Sequence, residues 1–337
     1  MNLADIPTAY TYDDLLLVPQ HSDLNSRSEA DTSTSLFGRN FRIPIITANM
    51  ESISAFNMAA AMGELGGLGI LHRYARPEFI LRWIEQLVAR GMPAVASVGV
   101  KPEDYDLALA YIDGGAEAVT VDIAHGDSQH LLDMVERLAK VTKVIAGNVA
   151  TGLGARRLVN VGASVVKVGV GSSQICSTRL VSGHGVPQAS AVNEVYNALK
   201  NYGVKIIADG GIRTSGDIVK SLALGADAVM IGGLVSGCNE CPGETEEERT
   251  RYSGMASEHV QLKQKGKVSN SAPEGISIRV KAKGPVKNVI DGLVGGIRSG
   301  LSYSGARNLS QLRDYAEFVK ITSAGLYESR TAHENSP

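Results

Sequence analysis

Lys205-Ile-Ile-Ala-Asp209-Gly-Gly-Ile-Arg213-Thr-Ser-Gly-Asp-Ile-Val-Lys-Ser-Leu-Ala-Leu224-Gly-Ala-Asp-Ala228-Val-Met-Ile-Gly232-Gly233 carries the architectural argument in one unit. An apolar run, Lys205–Asp209, ends in a glycine pair. An amphipathic stretch over Thr214–Leu224 follows, and then a second run, Ala228–Gly232, with its own glycines. Both runs are rich in Ile, Val and Ala without strict alternation, which suits parallel strands buried on both faces. Strand, helix and strand in that order predict a right-handed βαβ unit.

The unit repeats along the chain. Further apolar runs occupy Phe41–Thr47, Gly67–Leu71, Ala94–Gly99, Ala118–Asp122, Lys143–Gly147 and Ser164–Gly169, which makes eight. Helical patterns lie between them, for example Ala55–Leu65, Pro77–Ala89 and Asp127–Ala139. Six strands would suggest an open doubly wound sheet; eight predict an α/β fold closed as a TIM (β/α)8 barrel. The 337 residues suit one barrel domain over 1–337. Two connections are long: Gly171 to Gln188 after the sixth strand and Ser236 to Lys283 after the eighth. Both leave the C-terminal ends of strands, where barrel active sites sit, and long loops in compact domains are commonly functional. Part of the second, about 257–283, reads as a mobile flap, with charged stretches at Glu244–Arg251 and Gln261–Asn270.

Composition narrows the function classes. Apolar residues make up 44% and charged residues 20%, as in an ordinary globular chain. A formal net charge of −2 argues against a broad footprint for nucleic acid or an anionic membrane, though a local phosphate pocket is compatible with it. The three cysteines, Cys176, Cys238 and Cys241, do not form a disulfide-framework pattern. No apolar run is long enough to span a bilayer. The N-terminal Met1 to Tyr12 lacks a basic-then-apolar signal pattern, so a reducing cytoplasm is the expected compartment.

Four places carry candidate chemistry. The loop Gly169-Val-Gly-Ser-Ser-Gln-Ile-Cys176-Ser-Thr178-Arg179 combines backbone-permissive glycines with a cysteine. A thiol with an ordinary pKa of about 8.5 becomes a nucleophile once neighbouring charges or dipoles lower it. The opposing reading of Cys176 is a small buried hydrophobe. Asp209-Gly-Gly and Gly232-Gly233 end strands seven and eight, where backbone N–H groups commonly hold phosphate. A carboxylate repels phosphate, so Asp209 suits ribose hydroxyls, unless Gly210 and Gly211 only make a tight turn and Asp209 caps a helix. Asp122-Ile-Ala-His125 ends strand four. Metal-ligand spacing is missing there, and a structural His125 is an equal reading. Cys238-Asn-Glu-Cys241 has no second pair and reads as structural or incidental.

The sequence resembles the IMP dehydrogenase and GMP reductase family over nearly its whole length. The resemblance rests on Tyr12-Asp13-Asp14-Leu15-Leu16-Leu17-Val18-Pro19, Ala48-Asn49-Met50, Ile145-Ala-Gly-Asn148-Val149, the Cys176 loop and Ile207-Ala-Asp209-Gly-Gly. It continues through Tyr252-Ser-Gly-Met255, Pro273-Glu274-Gly275 and Gly295-Gly-Ile-Arg298-Ser. The resemblance implies a barrel, usually a homotetramer, that binds a purine 5′-monophosphate (GMP or IMP) and a nicotinamide dinucleotide. By match, Cys176 attacks C2 of the purine, and Thr178 with Glu274 relays protons. Ser173, Gln174, Asp209, Gly211, Gly232, Gly233, Tyr252, Gly254 and Met255 are the implied nucleotide contacts. Asn49, Asp122, Ala124, His125 and Asn148 fall to the dinucleotide, and the carbonyls of Gly169, Gly171 and Cys176 to a monovalent cation such as K+.

Within the family, the reductase branch, which takes GMP and NADPH to IMP and ammonia, is the expectation. The stretch from Met255 to Glu274 is short and lacks the Arg-Tyr pair that activates water in dehydrogenases. Ser236-Gly-Cys-Asn-Glu240-Cys241 resembles the reductase loop, and no regulatory CBS pair is inserted. Pro273-Glu274-Gly275 and the tail Phe318 to Ser329 are spelled as in bacterial dehydrogenases, which take IMP and NAD to XMP. The usual Gly-Pro-Gly-Ser reads Gly171-Ser172-Ser173-Gln174 here, so Gln174 replaces a phosphate-contacting serine. A catalytically silent nucleotide-binding barrel is the alternative from another class. A phosphate-binding barrel isomerase would leave Cys176 and the long flap unexplained.

Overall fold

The computed structural model describes residues 2–243, 245–246, 249–265 and 272–329. Eight parallel strands form one sheet: β1 (Ile45–Thr47), β2 (Leu68–Gly69), β3 (Val95–Val98), β4 (Ala118–Asp122), β5 (Lys143–Val149), β6 (Val165–Val168), β7 (Lys205–Asp209) and β8 (Ala228–Ile231). Their order is β2-β1-β8-β7-β6-β5-β4-β3. The two ends meet where Leu71 bridges Ala96 in parallel, with Leu71 N–H donating to Val95 and Ser97 N–H donating to Leu71. The expected (β/α)8 barrel is the observed fold.

Eight helices separate and cover the strands: α1 (Phe56–Leu65), α2 (Pro77–Ala89), α3 (Pro102–Asp113), α4 (Gln129–Leu138), α5 (Gly152–Asn160), α6 (Gln188–Leu199), α7 (Ser215–Ala223) and α8 (Val286–Tyr303). Their starts are locally encoded. Pro77 and Pro102 open α2 and α3, and Thr214 with Asp217 forms a reciprocal capping box on α7.

The first strand is shorter than the run Phe41–Thr47 suggested. Phe41 ends a hairpin, Thr34–Leu36 with Arg39–Phe41, and β1 begins only after Pro44, whose missing N–H and fixed φ interrupt pairing. An antiparallel pair, Leu15–Leu17 with Phe318–Lys320, ties the two ends of the chain together. The polar segment after β8 contains a three-stranded antiparallel sheet, Thr245–Glu246, Arg249–Ser253 and Ser277–Lys281, and a helix, Glu258–Lys265. Much of the expected flap therefore has regular structure. Residues 244, 247–248 and 266–271 of this segment lie outside the described residues.

Adjacent strand residues divide between two cores, as the period of two requires. Ile45, Val166, Ile206 and Ala208 pack outward under the helices, whereas Ile46, Leu68, Val95, Ala118, Ile145, Val165, Ile207 and Ala228 meet inside the barrel with Leu36 and Phe41. Moving along the same inner face toward the C-terminal ends changes the chemistry. Two residues beyond Val95 is Ser97, two beyond Val165 is Lys167, two beyond Ile207 is Asp209, and four beyond Ala118 is Asp122. An apolar floor thus carries a polar layer at the end where the long loops converge.

Candidate active site

That polar layer is tightly bonded. Lys167, 1% exposed, sets its ammonium 3.1 Å from Asp122 Oδ1 and 3.1 Å from Asp209 Oδ2, and donates to Asn49 Oδ1 at 3.2 Å. Burial pushes the Lys167 ammonium down, but the two carboxylates outweigh it and hold the group above its ordinary value. Asn49 Nδ2 donates to Asp122 Oδ2 at 2.8 Å and to Ser97 Oγ at 2.9 Å, so both polar atoms of Asn49 are engaged by protein. Asn148 Nδ2 donates to Asp209 Oδ2 and to the Gly169 carbonyl, each at 2.9 Å, while its Oδ1 is buried without a protein partner.

The cysteine loop leaves β6 over this layer. Gly169 has φ +152°, and a Cβ there would lie 1.9 Å from the Asp209 carbonyl oxygen, so only glycine lets the two strand ends approach. Cys176 N–H then donates to the Ser173 carbonyl at 3.1 Å. A second strip of chain fixes the far side: Cys176 bridges Gly275, Ser177 N–H donates to the Glu274 carbonyl, and Ile276 N–H donates to the Ile175 carbonyl. This zipper brings Glu274 to Cys176 and Thr178, which precede it in sequence by almost a hundred residues. Cys176 Sγ lies 3.1 Å from Thr178 Oγ1, and the Thr178 hydroxyl donates to Glu274 Oε2 at 2.7 Å. With the thiol protonated, S–H donates to threonine and threonine to the carboxylate. With a thiolate, both bonds reverse and the carboxyl group carries the proton. The two states differ by one proton moved from sulfur to Glu274.

All three side chains face a cavity of about 1000 Å³ at the C-terminal end of the barrel. Of the residues anticipated from sequence, Asn49, Asp122, Ala124, Asn148, Gly169, Gly171, Ser173, Asp209, Gly254 and Met255 also line it. Tyr252 sits behind this wall, 6% exposed, beside Gly232. Burial and the Asp209 charge push its hydroxyl up, against a hydrogen bond with Ser173. Gly232, Gly233 and Tyr252 are not among the lining residues. Gln174 and Gly211 line an adjoining cleft of about 140 Å³ with Gln188 and Arg213, which shares Ser172 with the main cavity. His125 is exposed and outside the cavity.

Several lining residues were not anticipated: Lys167 at the floor, and Glu51, Arg73, Tyr74, Lys101 and Asp104 from the segments that follow β1, β2 and β3. For Lys167 the signal was present. A charged residue on the inward-facing register of the run Ser164–Gly169 must be paired if it is to be buried.

The Cys238/Cys241 pair is away from this chemistry. Cys238 is buried and Cys241 Sγ donates to the Val235 carbonyl at 3.2 Å. Burial pushes the thiols up to about 11 and about 12, so both are neutral near pH 7. No three His, Cys, Asp or Glu side chains among the described residues cluster as a metal site. No helix among them is long and apolar enough to cross a membrane.

The IMP dehydrogenase / GMP reductase domain model matches residues 9–333. The chain is 39% identical to a GMP reductase of Bacillus subtilis over 316 residues, covering 90% of this chain and 94% of the relative. It is 46% identical to an inosine-5′-monophosphate dehydrogenase of Aquifex aeolicus over 248 residues, which is 69% of this chain and 51% of that protein, so it spans about half the length of that relative. A crystal structure of a cysteine-to-alanine variant of GMP reductase from Trypanosoma brucei, in complex with guanosine 5′-monophosphate, superimposes with a TM-score of 0.91 at 30% identity, covering 98% of both chains. By sequence and by fold, the chain belongs to the IMP dehydrogenase / GMP reductase family.

Proposed function

We propose that this chain is a GMP reductase, which converts GMP to IMP and ammonia with NADPH through a covalent bond between Cys176 and the purine. The observation that carries this reading is the unbroken chain Cys176–Thr178–Glu274 at the cavity wall. Cys176 as thiolate adds to C2 of the guanine. The exocyclic amine leaves as ammonia, and the proton that makes it a leaving group comes from Glu274 through the Thr178 hydroxyl. A threonine hydroxyl alone is too weak an acid for this, whereas a carboxyl bonded to it supplies the proton and the hydroxyl relays it; such transfers contribute roughly 10²–10⁴-fold. The sulfur-bound purine then accepts hydride at C2, the C–S bond breaks and the thiolate is regenerated with IMP.

A nicotinamide dinucleotide, when bound, supplies that hydride. The residues present fit it. About 1000 Å³ lies at the upper end of ordinary ligand sites, and the lining includes Arg73, Tyr74 and Lys101 as well as Cys176. Asn148 Oδ1, a buried acceptor lacking a protein partner, suits an N–H donor of the carboxamide type. Asp122, Ala124 and Asn148 would hold the nicotinamide half, with Asn49 orienting Asp122. Asp209 uses Oδ2 for its protein contacts, so Oδ1 is the atom for ribose hydroxyls. The Gly169 carbonyl accepts from Asn148 and keeps a second lone pair, compatible with a K+ site shared with Gly171 and Cys176. We further propose a homotetramer working in the cytoplasm.

The 46% identity to a dehydrogenase supports a second reading, oxidation of IMP with NAD. One assay separates the two. Enzyme, GMP and NADPH should consume NADPH and release ammonia in equal amounts. No turnover there, with NADH and XMP formed from IMP and NAD, would replace the first reading by the second. GMP binding without either turnover or a trapped adduct would leave a silent barrel.

A further inference from the structure

We propose that Lys167 is a positioning residue that ties the nucleotide subsite to the dinucleotide subsite by holding Asp209 and Asp122 on one cation; this rests on the assignment of those two carboxylates to the two ligands. An ammonium has three N–H donors. Here three oxygens take them: Asp122 Oδ1 and Asp209 Oδ2 at 3.1 Å and Asn49 Oδ1 at 3.2 Å, with Met230 Sδ at 3.7 Å. No donor is left for a ligand, so Lys167 acts through its partners. Asp122 ends β4 and Asp209 ends β7, three strands apart around the ring, and β6, next to β7, delivers the lysine between them.

The charge balance makes the lysine necessary. Both carboxylates lie within about 3 Å of one nitrogen in a largely buried layer; Asp122 is 4% exposed. Without the cation they repel each other, and each loses the contact that fixes its rotamer. Asn148 would still hold Asp209, and Asn49 would still hold Asp122, but those neutral amides cannot offset two negative charges. The carboxylates would then turn away from the positions in which they accept ribose hydroxyls. A lysine that merely filled the barrel could be replaced by an apolar chain of similar volume without loss, as buried ion pairs often can.

The test is equilibrium binding of GMP by titration calorimetry to the full chain and to Lys167→Met, Lys167→Arg and the double variant Asp122→Asn/Lys167→Met. Lys167→Met should weaken GMP tenfold or more, and Lys167→Arg should recover most of that loss. The double variant, having lost one of the two repelling charges, should bind GMP more tightly than Lys167→Met alone. Parent-like affinity in Lys167→Met, or a double variant weaker still, would overturn the proposal. Should Lys167→Met fail to fold, the double variant is expected to fold, and its failure to do so would equally overturn the proposal by making the lysine part of the framework. A parent chain that binds IMP but not GMP would count against the reductase reading instead, and the same comparison is then made with IMP.

Discussion

Thr178 donates its hydroxyl proton to Glu274 at 2.7 Å across a sequence separation of 96 residues. The contact exists because the strip 274–276 pairs with the backbone around Cys176, and the backbone zipper fixes which carboxylate the threonine meets. Removing either end should break the relay without opening the cavity. Thr178→Ala and Glu274→Gln are each expected to slow ammonia release by about 10²–10⁴-fold while GMP still binds. Rapid-quench measurement of ammonia at saturating GMP checks this. Parent-like release in Thr178→Ala would remove threonine from the proton path.

Cys176 is half-buried at the cavity wall, with its sulfur within reach of a ligand there. Cys176→Ala should abolish turnover and the covalent adduct together, while GMP still binds. Acid quench of the parent during turnover, followed by mass spectrometry of the Cys176 peptide, should show the added purine nucleotide. An active Cys176→Ala variant would end the covalent scheme.

The barrel was legible because each of its strands is an apolar run set off by turn residues, and the helix caps are local. Where Pro44 splits the first run, the boundary was read too early, since the residues on both sides are apolar. The site was legible in a different way. Asp209 and Asp122 stand at strand ends, and Cys176 on the loop that leaves one, at the rim that the barrel itself marks. Thr178 and Glu274 came from family resemblance, because nothing near residue 274 encodes a partner near residue 178. Lys167 lies inside the apolar run Ser164–Gly169 and no motif marks it, although the inward register of its strand requires a buried partner. The role of Gln174 was assigned by position in a motif, yet the altered loop carries its side chain out of the cavity.

Gly169 is where loop and barrel are pressed together. A methyl group there would meet the Asp209 carbonyl oxygen at 1.9 Å, and the φ of +152° is unfavourable for any L side chain. Gly169→Ala should therefore cost about 2–4 kcal/mol in urea unfolding and displace Asp209. A variant within about 0.5 kcal/mol of the parent, within the range of neutral surface changes, would show that the strand ends can separate freely.

The pair Cys238 and Cys241 should be chemically silent near neutrality. With thiols pushed up to about 11 and about 12, only about one molecule in a thousand or fewer carries a thiolate there at pH 8. Alkylation by iodoacetamide, followed by peptide mapping, should leave both unmodified at pH 8 and modify them as pH passes 10. The same shifts give a linkage with a definite sign. The folded state holds these protons more tightly than the unfolded state, whose cysteines titrate at about 8.5. Their contribution to stability is complete below that pH and is lost as pH rises through 11 to 12. Rapid labelling of both thiols at pH 7 in the folded protein would contradict their burial.

The departure in the phosphate loop gives the sharpest contrast between neighbours. Ser173 lines the main cavity, whereas Gln174 is exposed and faces the cleft with Arg213. A hydrogen bond to a charged group contributes about 1.5–3 kcal/mol. Ser173→Ala should raise KM for GMP by about tenfold or more if its hydroxyl meets the phosphate, with a smaller change in kcat. Gln174→Ala should change KM less than about twofold, because its amide lies on the other side of the loop. Steady-state kinetics of the two variants at saturating NADPH decide the matter. The reverse ranking would mean that Gln174 swings into the cavity when nucleotide binds, and the loop would then have to rearrange around Gly171 to let it in.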